Sequence, residues 1–252
     1  MKRFILTIVA IFAIFTSQAQ VLKDAVMRIP LNEASSKEMP TESVANAKCR
    51  PMNDHTLGDV FEDETMGMVR CFQNCKNGIL TKMSPVYGSD ARTYSFWAYT
   101  NMTDLSNDGK GEAVQNNTQP FTTGSMDKPM GGFFMQIVQG KRIRIGINAK
   151  YTHVLMFPGI GKELRDSWHH FAVTIPEGGS AADAKCYIDG IDCGAAQTVN
   201  EKGEKIDNFT LKTAKTVFNI APQFGGMISQ VAIFDKVLSE GDVQKLMKET
   251  RQ

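Results

Sequence analysis

Hydrophobic and polar positions alternate along much of this chain, in short runs separated by turn-forming residues. In Arg142-Ile143-Arg144-Ile145-Gly146-Ile147 the isoleucines fall on one face and the arginines on the other. Phe171, Val173 and Ile175 share a face in the same way. Runs of this kind predict strands over residues 26–31, 67–72, 93–99, 133–138, 142–147, 168–175, 184–188, 191–195, 216–220 and 227–234. One buried face per strand is the pattern of two sheets packed against each other. The expected fold is all-β, an antiparallel two-sheet β-sandwich.

One stretch reads as helix, and it is C-terminal. Ser239 is placed to cap it, and Asp242 stands three residues later, where a capping box needs it. Val243, Leu246 and Met247 form an apolar stripe, and Lys245 and Lys248 sit where the helix dipole favours positive charge. Two stretches interrupt the strand pattern. Residues 33–59 read as polar and loosely structured, and residues 101–132, rich in Asn, Thr, Gly and Asp, read as one long loop.

The N-terminus reads differently. Lys2 and Arg3 precede an apolar run over residues 4–15, followed by Thr16-Ser17-Gln18-Ala19. This is the layout of a signal peptide over residues 1–19, cleaved after Ala19. The run is shorter than the ~20 apolar residues that cross a bilayer, and no Cys follows it for lipid attachment. The mature chain is then residues 20–252, one domain with no membrane span, exported to the periplasm, the cell surface or the extracellular space. Loss of Lys2 and Arg3 turns the formal charge from +1 to about −1. A near-neutral chain with no basic run excludes nucleic acid and anionic membrane as partners that a global field would attract.

The cysteines are Cys49, Cys71, Cys75, Cys186 and Cys193. If Asp189-Gly190 is a two-residue hairpin turn, Cys186 and Cys193 fall opposite each other, close enough to form a disulfide. Any pairing among Cys49, Cys71 and Cys75 stays open, and no Cys/His set has the spacing of a zinc site.

Candidate chemistry is sparse. No predicted strand carries carboxylates at alternate positions, where they would share one face and could act as nucleophile and acid. Glu62-Asp63-Glu64 is consecutive, points to both faces and reads as a polar loop. His169 and His170 face opposite sides of one strand and cannot act as a pair; His170 reads as structural. No G-x-S-x-G motif marks a serine nucleophile. Asp104, Ser106, Asp108 and Gly109 match the first half of a calcium loop, with Glu112 available at the ninth position. The twelfth position is Gln115 instead of Glu, which favours a solvated polar turn. Calcium is thus the one cofactor candidate, and none is required. Tyr87, Tyr151 and Phe157 lie in loop-like segments and have no assigned role.

Five segments carry a family resemblance. Residues 26–32, Tyr94-Ser95-Phe96-Trp97-Ala98-Tyr99, Asp166-Ser167-Trp168-His169-His170-Phe171-Ala172-Val173-Thr174, Cys186-Tyr187-Ile188-Asp189-Gly190 and residues 225–234 with 238–243 follow one another in the order found in laminin-G-like jelly rolls. The chain resembles that family within the concanavalin A-like lectin/glucanase superfamily. The resemblance implies a concanavalin A-like jelly roll and makes Trp97 and Trp168 core anchors. Where relatives often carry Asp-Glu in the closing strand, this chain has Ser229-Gln230, so a cation held there in relatives is in doubt here. Fold does not carry activity. The function expected is a non-catalytic binding module for a glycan or glycoconjugate. The alternatives are a glycan-degrading hydrolase or lyase, or a structural module binding a surface protein.

Overall fold

The computed structural model describes residues 21–52, 56–72, 78–81, 83–100, 117–125, 131–147 and 152–251. In chain order its strands are β1 (Met27–Ile29), β2 (Thr41–Glu42), β3 (Ala47–Lys48), β4 (Arg50–Pro51), β5 (Asp59–Asp63) and β6 (Gly67–Phe72). Next come β7 (Ile79–Leu80), β8 (Arg92–Thr100), β9 (Asn117–Gly124), β10 (Gly132–Val138), β11 (Arg142–Ile147) and β12 (His153–Phe157). They are followed by β13 (Trp168–Ile175), β14 (Lys185–Ile188), β15 (Ile191–Asp192), β16 (Gln197–Val199), β17 (Phe218–Gln223) and β18 (Gly226–Phe234), then by helix α1 (Glu240–Thr250).

The first sheet runs β15-β14-β13-β8-β18-β6-β5, and the second β16-β12-β11-β10-β9-β17-β7-β4. β18 is divided by a bulge at Gln230 (φ 53°). Before the bulge it pairs with β6, after it with β1, and along both parts with β8. The alternation read in the sequence aims as expected. Phe171, Val173 and Ile175 of β13 meet Ile143, Ile145 and Ile147 of β11 in one core between the sheets. Aromatic rings fill its centre: Phe96 stacks on Phe171 at 5.3 Å, and Tyr94 on Phe218 at 5.8 Å. Each fully buried ring or branched chain contributes about 1.5–3 kcal/mol. The expected antiparallel two-sheet sandwich with a short C-terminal helix is the observed fold.

α1 starts where its capping box predicts. The Asp242 N–H donates to Ser239 Oγ at 3.2 Å, and the Ser239 N–H donates to Asp242 Oδ2 at 3.3 Å. The helix lies on the outer face of the first sheet, where Val243 and Leu246 pack with Ala172, Tyr187, Ala232 and Phe234.

Several expectations change. Residues 101–132 are not one loop, because β9 runs through them as an interior strand between β10 and β17. Its composition hides it: Asn117-Thr118-Gln119-Pro120-Phe121-Thr122-Thr123-Gly124 has one large apolar residue and a proline. Proline cannot donate to a ladder, and both pairings of β9 shift register around Pro120. Phe157 belongs to β12 and is fully buried, not in a loop. Glu62 and Asp63 lie on the edge strand β5, where burial follows no inward carboxylate pattern. The polar stretch 33–59 contains short strands and is tied down by Arg70, which is fully buried. Arg70 pairs with Glu33 at 2.9 Å and donates to the Gly58 and Glu38 carbonyls.

The β14–β15 hairpin forms as the sequence requires. Asp189 (φ 52°) and Gly190 (φ 74°) supply the two left-handed positions of a primed turn. The Cys193 N–H donates to Cys186 O at 2.9 Å, so the two cysteines stand opposite each other. The expected bridge is not formed in this structure. Both are thiols, as are Cys49 and Cys71, while Cys75 lies outside the described residues. Burial pushes the Cys186 thiol well above its ordinary value, with the neighbouring Cys193 adding to it.

Candidate functional site

Each sheet has an outer face, and the two are furnished differently. On the first, Trp97 is buried beneath the helix, donating from Nε1 to Thr250 Oγ1 at 2.8 Å. Trp168, Met227 and Met247 pack against the same cluster with Met66 and Val69. Both tryptophans are anchors, as the resemblance implied. His170 shares this face and is fully buried between Trp97 and Ser95, whose Oγ is 2.9 Å from His170 Nε2. Its Nδ1 has no partner, and burial holds its pKa down to about 3, so the ring is neutral.

The outer face of the second sheet carries polar groups instead. Because Phe133, Met135 and Ile137 point into the core, alternation turns Phe134 and Gln136 of β10 outward. Register then lines up Thr122, Phe134, Gly146, Val154 and Val199 as one cross-sheet row. Gln136, Arg144, Met156 and Gln197 form the next. Gly146 is required in the first row, since a Cβ there would run into the Phe134 ring. Arg144 Nε donates to Gln136 Oε1 at 2.8 Å. Farther along, Asn219 Nδ2 donates to Thr122 Oγ1 at 2.8 Å, leaving Asn219 Oδ1 buried without a hydrogen-bond partner.

At one end of this face lies a cleft of about 480 Å³. Its floor is Arg144, Val154, Met156 and Val199, and its wall is the turn Asn200, Glu201, Lys202 and Gly203. Asn200 stiffens that wall. Its Oδ1 accepts from the Lys202 and Glu204 N–H groups, and its Nδ2 donates to Glu204 Oε2 at 2.7 Å. The cleft thus joins an apolar floor to a guanidinium, an ammonium and a carboxylate. That is the general composition of a small-ligand site: apolar walls with a few placed polar groups.

The residues singled out by sequence fall elsewhere. Asp104, Ser106, Asp108 and Glu112 lie outside the described residues, as does Tyr151. Among the described residues no group of His, Cys, Asp and Glu is arranged to hold a metal ion. Tyr87 is exposed, with Lys215 Nζ 5.0 Å from its ring centre. Ser229 and Gln230 are buried at the β18 bulge, where Ser229 Oγ donates to Pro30 O at 3.2 Å. The outward arginines of residues 142–147 were the visible signal for the cleft. Its remaining lining carries no such signal, because neither β12 nor β16 shows the apolar–polar alternation of a half-buried strand.

No helix among the described residues is long and apolar enough to cross a membrane. No curated protein sequence matches the chain significantly. Solved structures do match in shape. Domain 4 of AbnA, an extracellular arabinanase from Geobacillus stearothermophilus solved with arabinotriose, aligns with TM-score 0.56 at 16% identity, covering 89% of this chain and 98% of that one. The botulinum neurotoxin serotype D ligand-binding domain, solved with N-acetylneuraminic acid, aligns with TM-score 0.58 at 16% identity over 92% of this chain. The present chain spans about half of that toxin domain, covering 52% of it. At such identities the likeness is one of fold. Residues 74–244, more than half of the sequence, match the laminin-G-type pattern, and the chain belongs to the concanavalin A-like lectin/glucanases superfamily.

Proposed function

We propose that the chain is an exported glycan-binding module, non-catalytic toward the glycan it holds, whose ligand occupies the cleft on the outer face of the second sheet. The observation that carries this reading is the cleft's furnishing, with Arg144 and Lys202 beside Val154, Met156 and Val199. A sugar presents an apolar C–H face and a rim of hydroxyls. The floor suits the first, and the guanidinium, the ammonium and Glu201 suit the second. The positive charges of Arg144 and Lys202 make acidic sugars the better candidates. The domains solved with arabinotriose and with N-acetylneuraminic acid support the reading as sugar binders of the same fold.

The test is glycan-array binding of residues 20–252, in calcium and again in EDTA, for the wild type and Arg144→Ala. Binding that falls at least about tenfold in the variant supports the cleft, a loss of 1.4 kcal/mol or more. Loss in EDTA adds calcium, with Asp104, Ser106, Asp108 and Glu112 as its proposed ligands. A blank array with folded protein removes the glycan reading and favours a surface-protein partner. Export is checked separately, by finding Gln20 as the first residue of the protein recovered outside the cytoplasm.

A further inference from the structure

We propose that Ser167, His169 and Asp189 form a nucleophile–base–orienter array that cleaves small carboxylic esters. The three come from two segments that the fold brings together. Ser167 Oγ lies 2.8 Å from His169 Nε2, and His169 Nδ1 lies 2.7 Å from Asp189 Oδ2. An ionised carboxylate only accepts, so in the neutral ring Nδ1 carries the proton and Nε2 keeps its lone pair toward the serine. That is the tautomer a general base needs. The serine O–H has the Arg165 carbonyl, 3.3 Å away, as its other acceptor.

The surroundings hold each member in place. Asp189 sits on the left-handed hairpin turn, and its second oxygen accepts the His170 N–H at 3.0 Å. Gln244 of α1 donates to Gly190 O at 3.2 Å, clamping the same turn. Burial would raise the Asp189 carboxyl, but the His169 ring and the His170 N–H outweigh it, leaving it ionised below its ordinary value. His169 is nearly buried, set edge-on to Phe171 at 6.5 Å. Ser167 is half-buried and directly follows Asp166, a non-glycine residue at φ 56°. That strained step is held by the Asp166 N–H donating to Thr100 O at 2.9 Å. No single motif encodes the array, because Asp189 is twenty positions from His169 and serves the turn as well.

The chemistry balances with water as the only co-reactant. Ser167 Oγ adds to the ester carbonyl carbon while its proton passes to His169 Nε2. The tetrahedral adduct collapses, the bond to the alcohol oxygen breaks, and Nε2 returns the proton to the leaving alkoxide. Water, deprotonated by the same nitrogen, then adds to the acyl-serine, releasing the carboxylic acid and restoring Ser167. An ester suits the site better than an amide, since its carbonyl carbon is the more electrophilic and an alkoxide leaves more readily than an amide anion.

The experiment uses the full mature chain and a fluorophosphonate probe, with p-nitrophenyl acetate as the second readout. Expected is phosphonylation mapped to Ser167, abolished in Ser167→Ala and slowed roughly 100-fold or more in His169→Gln, with ester hydrolysis falling in parallel. Circular dichroism confirms that each variant is folded. Ser167→Ala removes no packing group, so it keeps the test decisive even if His169→Gln unfolds. Labelling at another serine, no labelling of folded wild type, or labelling unchanged in folded His169→Gln would each overturn the proposal. The array lies at the end of the first sheet, apart from the Arg144 cleft, so glycan binding and esterase activity succeed or fail independently.

Discussion

The two outer faces of this sandwich start from the same pleat and end differently. On the first sheet the outward positions carry Trp97, Ala172, Ala232 and Phe234, which a helix must cover. On the second they carry Thr122, Gln136, Arg144 and Gln197, beside a cleft. Alternation decides which residues point outward. What those residues are decides whether the face becomes a second core or stays polar beside an open cleft. The contrast also sets where this protein's stability and its binding should separate under mutation.

The largest separation should appear under acid. His170 is neutral in the fold down to about pH 3, against an ordinary value of 6.5. Below pH 6.5 the unfolded chain gains a proton that the folded chain refuses, so stability falls with pH across that window and is complete above it. The expected loss is on the order of 5 kcal/mol by pH 3, read as the urea midpoint against pH and flattened in His170→Gln. Trp97→Ala should cost about 3–5 kcal/mol by emptying the space beneath α1. If urea unfolding shows under 1 kcal/mol, the helix-covered face is not a true second core. On the opposite face Gly146→Ala should cost about 1–3 kcal/mol, because Phe134 must move. It should also weaken cleft binding through the displaced row, a link that calorimetry would test. Ser239→Ala should cost about 1 kcal/mol by removing the helix cap. Arg144→Ala should cost no more than about 1 kcal/mol, the hydrogen bond it gives Gln136, while cutting glycan binding at least about tenfold. A large stability loss there would erase the distinction between the faces.

Legibility in the sequence followed the same divide. β8, β11, β13 and β18 could be read because each sets large apolar residues at alternate positions against a single core. The helix could be read because Ser239 and Asp242 announce its start. β9 could not, since Pro120 and five polar side chains hide a strand whose one large apolar residue is Phe121. β12 could not either: Val154 and Met156 make its outer face as apolar as its inner one, and the period of two disappears. The cleft needs both β12 and β16, so it emerged only when the sheet order set Val154 opposite Val199. The opposed cysteines were legible from the hairpin alone. Export to an oxidising compartment should close them, detected as the loss of two hydrogens' mass from intact protein without reductant.

The sheet edges carry one more consequence. The outermost strands of the first sheet are β15, two residues long, and β5, which carries Asp59, Glu62 and Asp63. Those of the second are β16, three residues long, and β4, which ends in Pro51. Each border is thus brief, charged or deprived of a donor, and such borders resist strand-to-strand polymerisation. A β-rich protein folding among crowded neighbours is most exposed to aggregation at those edges, and here they give another chain little to continue.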